Sequence, residues 1–153
     1  MSDDSAVDSI EYGVLNELIG YRLRRAQLAY FSSFSSLRGD WGVSLGLFGV
    51  MEIVHKNPGL TQTAVAQALG NDRSAMVAVV DKLEELNLIE RKRSAHDRRS
   101  YALYLTHKGE ECCREITLKV LECEASFDSL LNPGDKEKLL DILARLAGEA
   151  DSR

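Results

Sequence analysis

LTQTAVAQALGNDRSAMVAVV, residues 60–80, reads as two short helices joined by a tight turn. Thr61 is a good helix N-cap, and Leu60 before it is placed to staple onto Val65. This helix runs to Leu69 and stops at Gly70. The next begins after Asn71-Asp72, either of which can cap it, and runs to about Leu86. Take Gln62 as the first position of a helix-turn-helix. The fifth position, where the helices touch, demands a small residue, and Ala66 stands there. The ninth, in the turn, demands tolerance of positive φ, and Gly70 stands there. Val65, Leu69, Met76 and Val79 fill the apolar positions that glue the helices together. Only Asn71 is polar where an apolar residue is usual. An ordinary helical hairpin shares some of this pattern, but not the Ala66/Gly70 pair combined with a basic hairpin downstream.

Beyond Leu86 the pattern turns from helical to extended. Residues 88–93 and 100–105 are strand candidates rich in Leu, Ile and Tyr, and the polar stretch 94–99 joins them, so they read as a β-hairpin with a long tip. Arg91, Lys92, Arg93, Arg98 and Arg99 against Asp97 give residues 91–106 a net charge of +4, in a chain whose net charge is −5. On charge alone a solvated basic loop is the simpler reading. An acidic body does not forbid contact with phosphate, because screening confines repulsion to about 10 Å at moderate salt.

Working outward, residues 8–38 read as one long helix, with Ile10, Val14, Leu18, Tyr21 and Leu28 at helical spacing. A second helix over about residues 43–55 is apolar nearly all round and therefore buried. Asn57-Pro58-Gly59 ends it by turn chemistry. Thr106 caps a fifth helix over roughly residues 107–131. Asn132-Pro133, an N-cap followed by proline at the first helical position, opens a sixth to about Gly148. The fold expected is mainly α with a small β-hairpin wing. A winged helix-turn-helix module, residues 43–106, is flanked by helices at 8–38 and 107–150 within one chain, residues 1–153. The flanks carry Leu118, Leu121, Phe127, Leu130, Leu139, Leu140, Leu143 and Leu146. Burying each is worth about 1.5–3 kcal/mol, so the stripe needs a partner surface. The same helices of a second copy, related by a two-fold axis, supply one; a monomeric helical bundle is the alternative.

Composition narrows the class. With 44% hydrophobic and 28% charged residues and two prolines, the chain is globular rather than disordered. Its apolar runs are too short to span a bilayer, and its acidic N-terminus has no basic n-region of a secretory signal. Cys112, Cys113 and Cys123 form no CxxC pair, and an odd count points to the reducing cytoplasm. His55, His96 and His107 are scattered, so no metal site is expected. There is no nucleophile–base–acid constellation and no glycine-rich phosphate loop. Neither catalytic residues nor a cofactor are expected, and the chain does not read as an enzyme.

The candidate chemistry is therefore DNA binding. The second helix of the motif would enter the major groove with Arg73, Ser74, Ala75, Val77 and Ala78 toward the bases. Arg73 and Ser74 suit phosphate or base edges, while the three apolar residues suit the thymine methyl. Thr61 and Gln62 stand at the start of the first helix. Arg91, Arg93, Arg98 and Arg99 belong to the hairpin, and arginine at its tip suits the narrow, negative minor groove.

The segments Leu60-Thr61-Gln62, Asn71-Asp72-Arg73-Ser74, Val80-Asp81-Lys82-Leu83-Glu84 and Leu88-Ile89-Glu90-Arg91, closing with Asp97-Arg98-Arg99 and Leu105-Thr106…Gly109, resemble the MarR family of bacterial transcriptional regulators. The D-x-R wing followed by L-T-x-x-G is the most specific part, and the resemblance spans nearly the whole chain. It implies a triangular homodimer on a double-stranded, pseudo-palindromic DNA operator, usually a repressor relieved by a small ligand. It also implies that Arg99 enters the minor groove. Many members carry Thr or Ser and then Arg where this chain has Val77 and Ala78, which bears on the bases read.

Family members sense phenolic acids, acyl-CoA thioesters, peroxides or metals. Peroxide sensing in that branch uses a cysteine of the first helix, and here no cysteine precedes Cys112. An organic anion remains. Residues 20–31 are similar to regulators of aromatic-compound catabolism, which implies an aromatic acid or its acyl-CoA thioester as effector. Tyr21, Phe34, Trp41 and Phe48 are candidates to line its pocket, with Arg24 or Arg25 pairing a carboxylate or phosphate. Aromatics at helical spacing also serve as core, and an arginine pair on a helix is usually solvated. The alternative function is a winged-helix protein-interaction module without specific DNA reading, which the apolar second helix and the acidic body would suit.

Overall fold

The computed structural model describes residues 10–34, 41–96 and 99–149. One compact unit ends at Ser33 and a second begins at Phe34. In the first, Gly13–Glu17 form a 3₁₀ turn, and α1 covers Ile19–Ser33. The single long helix expected over residues 8–38 is thus broken, and residues 8–9 and 35–38 lie outside the described residues. Gly13 takes φ +55°, and Leu18 is extended at φ −86°, ψ 123°. The Arg22 guanidinium closes over the break by donating to the Asn16 carbonyl at 3.1 Å. Apolar spacing reports which face residues share; it is blind to one extended residue between two helical pieces.

The second unit starts its core at Val43. Ser44 caps α2, Leu45–Lys56, whose Val50, Met51 and Val54 are fully buried. At its end the Leu60 N–H donates to the Asn57 carbonyl at 3.1 Å while Gly59 sits at φ +86°, the geometry of a type II turn. Thr61 accepts from the Ala64 N–H at 3.2 Å and so caps α3, Gln62–Leu69, which stops at Gly70 with φ +67°. Of the two candidate caps for α4, Arg73–Glu85, Asp72 takes the role: it accepts from the Ala75 N–H at 2.7 Å. Of the positions set by the helix-turn-helix spacing, Val65, Ala66 and Met76 are buried and Leu69 and Val79 are partly buried against the same core, which Val80 and Leu83 of α4 complete.

Strands β1, Ile89–Arg93, and β2, Tyr101–Leu105, pair antiparallel with Ile89 opposite Leu105 and Arg93 opposite Tyr101. The segment before α3 adds to β2: Gly59 N–H donates to Leu103 O at 2.9 Å and Leu103 N–H to Leu60 O at 3.0 Å. This bridge ties the start of the helix-turn-helix to the hairpin, and sequence patterning misses it because so few residues take part.

Thr106 caps α5, His107–Asp128, and explains the Thr-x-x-Gly spacing. Its hydroxyl accepts from the Gly109 N–H at 2.9 Å and donates to the Asn87 carbonyl at 2.6 Å. A Cβ at Gly109 would overlap the Leu88 carbonyl, so only glycine lets α5 approach the hairpin this closely. The last helix, α6, covers Asp135–Leu146. Its cap is Gly134, not the expected Asn132. Asn-Pro-Gly again makes a turn: Asp135 N–H donates to Asn132 O at 3.0 Å, and Gly134 holds φ +87°. Pro133 fixes the turn's second position rather than the helix's first. Beyond the first half of α5 the core thins out: Leu118 is 65% exposed and Leu130 78%, and no residue of α6 is buried.

Candidate nucleic-acid interface

Helix α4 is two-sided. Met76, Val80 and Leu83 fall at i, i+4 and i+7 and face the core. On the other side Arg73, Ser74, Ala75, Val77 and Ala78, the five residues expected to meet base edges, are all exposed. The Asp72 carboxylate caps the first turn of α4 and meets the positive end of the helix dipole, which leaves the exposed Arg73 and Ser74 side chains as that turn's outward polar groups. Thr61 and Gln62 are less available. Thr61 is half-buried and already caps α3, and the Gln62 carboxamide oxygen accepts from Arg91 Nε at 3.0 Å.

In the hairpin, Ser94 N–H donates to Ser100 O at 3.1 Å and closes the tip. Arg93 and Arg99 are exposed, while Arg98 and its neighbour Asp97 lie outside the described residues. Lys92 sits 3.4 Å from Glu90 and 4.9 Å above the Tyr104 ring. Arg91, expected among the hairpin's DNA-binding residues, is engaged within the chain. Its guanidinium turns inward, with the side chain only 17% exposed, and donates to Asp81 at 2.7 Å, to Glu84 and to Gln62. Read from the sequence, its charge counts simply among the basic residues. The missed signal is the acidic pair Asp81/Glu84, at i and i+3 of the facing helix.

The residues expected around an effector divide between the two units. Tyr21, Arg24 and Arg25 stand on α1, where Arg25 donates to the Tyr21 hydroxyl at 3.3 Å. Phe34, Trp41 and Phe48 belong to the second unit: Phe34 is buried, and the Trp41 indole N–H donates to Glu115 at 2.7 Å. A cavity of about 320 Å³ opens between α2 and α5, lined by Glu52, His55, Lys56, Cys113, Arg114, Thr117 and Leu118, none of them an expected effector residue. Burial pushes the Cys112 thiol up to about 11; burial and a hydrogen bond to Glu52 push Cys113 up to about 12. Both stay protonated and unreactive near neutrality. Among the described residues no group of three or more His, Cys, Asp or Glu is arranged to hold a metal, and no helix is long and apolar enough to cross a membrane.

A helix-turn-helix with an exposed second helix, bridged to an arginine-bearing hairpin, defines a winged helix-turn-helix regulator of the DNA-binding class. The family model of the MarR family matches residues 41–100. The chain is also 35% identical over 144 residues to a protein of Thauera aromatica assigned to transcriptional regulation of the hcr operon, covering 94% of this chain and 87% of that one. It therefore belongs to the MarR family, a family of transcriptional regulators and not of enzymes. Among solved structures it is similar to the transcriptional repressor CouR. Bound to a 23-mer DNA duplex, CouR shows 36% identity and a TM-score of 0.82 over 91% of this chain and 99% of that one. Bound to p-coumaroyl-CoA, it shows 35% identity and 0.82 over 93% and 100%. The PcaV regulator of Streptomyces coelicolor with its natural ligand gives a TM-score of 0.83 over 93% and 100%, at 24% identity, a likeness of fold.

Proposed function

We propose that this chain is a cytoplasmic repressor that binds a pseudo-palindromic operator as a homodimer and leaves it when a small aromatic acid or aromatic acyl-CoA thioester binds. The observation that carries this reading is the exposed N-terminal half of α4 beside an arginine hairpin, in a chain over a third identical to a repressor solved both on DNA and with p-coumaroyl-CoA. Arg73, Ser74, Ala75, Val77 and Ala78 enter the major groove, and Arg93, Arg98 and Arg99 follow the phosphates into the minor groove. The leucines exposed on α5 and α6 support pairing with a second copy, which spaces two reading helices one DNA turn apart. Tyr21, Arg24, Arg25, Phe34, Trp41 and Phe48 remain the proposed effector contacts. The effector acts by preferring a dimer whose reading helices no longer match successive grooves.

A mobility-shift titration on the DNA upstream of the chain's own gene tests this, at low salt and then with p-coumaroyl-CoA or free p-coumarate added. A complex that either compound dissolves is expected. No complex at low salt, where phosphate contacts are strongest, overturns the DNA reading. A complex untouched by both overturns the effector class.

A further inference from the structure

We propose that Arg91 is a positioning residue that locks the hairpin to the reading helix, and that it takes no part in holding phosphate. The guanidinium touches all three parts of the module. It leaves from β1, donates to the first residue of α3 at Gln62 Oε1 over 3.0 Å, and reaches α4 through Asp81 Oδ1 at 2.7 Å and Glu84 Oε1. Nη2 also lies 3.5 Å from the Val77 carbonyl, at the long limit of a hydrogen bond. Val77, Asp81 and Glu84 fall at i, i+4 and i+7 of α4, so one fork spans two turns of the face that looks at the hairpin.

The burial pattern fits a lock. Arg91 is 17% exposed, whereas Asp81 and Glu84 are 54% and 38% exposed. A cation flanked by two carboxylates contributes no net positive field, so it does not attract a polyanion. It does fix an angle. Major-groove and minor-groove contacts must be made at once by α4 and by the hairpin tip, and a small error in their relative placement loses one set. Only a planar fork with several donors can hold Gln62, Asp81 and Glu84 together; a lysine ammonium at the end of a flexible stem cannot.

The inference presupposes that the module docks on DNA, so its test has one arm on DNA and one without it. On the duplex upstream of the chain's own gene, Arg91→Lys keeps the charge yet binds about tenfold weaker, with an unchanged slope of log affinity against log salt. Asp81→Asn with Glu84→Gln, which removes two negative charges from a DNA-facing module, also binds more weakly, the opposite of what simple electrostatics requires. In the free, folded protein, Arg91→Lys speeds amide exchange in peptides covering residues 61–66 and 89–93. An Arg91→Lys variant equal to wild type overturns the proposal. So does an Arg91→Ala variant whose salt slope falls by about 0.9, the signature of one lost phosphate contact. Tighter binding by the double carboxylate variant, or unchanged exchange, overturns it as well. Should wild type fail to bind the duplex, the DNA reading falls, and amide exchange alone decides whether Arg91 locks the two elements.

Discussion

The central module and the helices around it are built on opposite terms. Between Val43 and Ile116 the chain has a core of its own: Val50, Met51, Val54, Val65, Val80, Leu83, Leu88 and Leu103 are all fully buried. In α1 and α6 no residue is buried, although both helices carry leucines. Each helix of the module has a specific start or stop. Ser44, Thr61, Asp72 and Thr106 satisfy the first N–H groups, and Gly70 ends α3 in the left-handed region. The flanking helices α1 and α6 leave most of their leucines exposed in the single chain. One part has a core of its own; the other has none among the described residues, and its apolar side chains are the ones the proposed dimer would cover.

Breaking the flank is expected to have the largest effect. If the proposed symmetric dimer buries this face, Leu121→Asp with Leu140→Asp places four charges in its interface and removes about 1.5–3 kcal/mol of burial at each site. Sedimentation should show the variant as a monomer with the module still folded. Its affinity for the operator should fall about a hundredfold or more, because two half-sites are no longer bound together. A variant that stays dimeric moves the interface off this face.

Inside the module the matching test is Gly109→Ala. At an ordinary helix position this change stabilises by about 0.5–1 kcal/mol. Here the new methyl meets the Leu88 carbonyl, a backbone atom that cannot turn aside, so thermal unfolding should show a loss of about 2–3 kcal/mol. The sign alone separates the two cases. Smaller again is Arg99→Ala. It should weaken operator binding about tenfold and lower the salt slope by about 0.9, as expected of a phosphate or minor-groove contact.

What is legible in the sequence depends on the range of the forces involved. Ala66 and Gly70 can be read because their demands are local: a large side chain does not fit one contact, and a left-handed φ is required a few residues on. The two Asn-Pro-Gly triplets show the limit. The sequence reads as a turn at 57–59 and as a helix cap at 132–134, yet both triplets make the same turn. An apolar-rich helix follows the second directly, and its pattern says where apolar residues recur but not which residue begins it. Leu18 escapes for a related reason, since an extended residue does not disturb spacing on either side. Arg91 is legible as a charge and not as a contact, because its partners Asp81 and Glu84 come from a facing helix across a turn. The expected effector residues are divided between units, and no local rule in the sequence states how such residues meet.

The smallest expected effect concerns the seam where α5 leaves the module. Cys112 and Cys113 sit on its buried side, and Cys113 donates to Glu52 at 3.4 Å. An ordinary thiol near 9 loses its proton in mildly alkaline solution; here burial holds the pair at about 11 and about 12. In the folded chain both should resist Ellman's reagent at pH 8 and react only on unfolding. Because the folded values lie above the unfolded ones, the folded state binds more protons once the pH passes about 9. The stability carried by the neutral thiols is therefore complete below pH 9 and declines as the pH rises toward 11 and 12. Thermal unfolding of wild type should decline over that interval more steeply than that of Cys112→Ala/Cys113→Ala, although the variant starts lower. Equal slopes would mean that the two thiols are not desolvated in the folded chain.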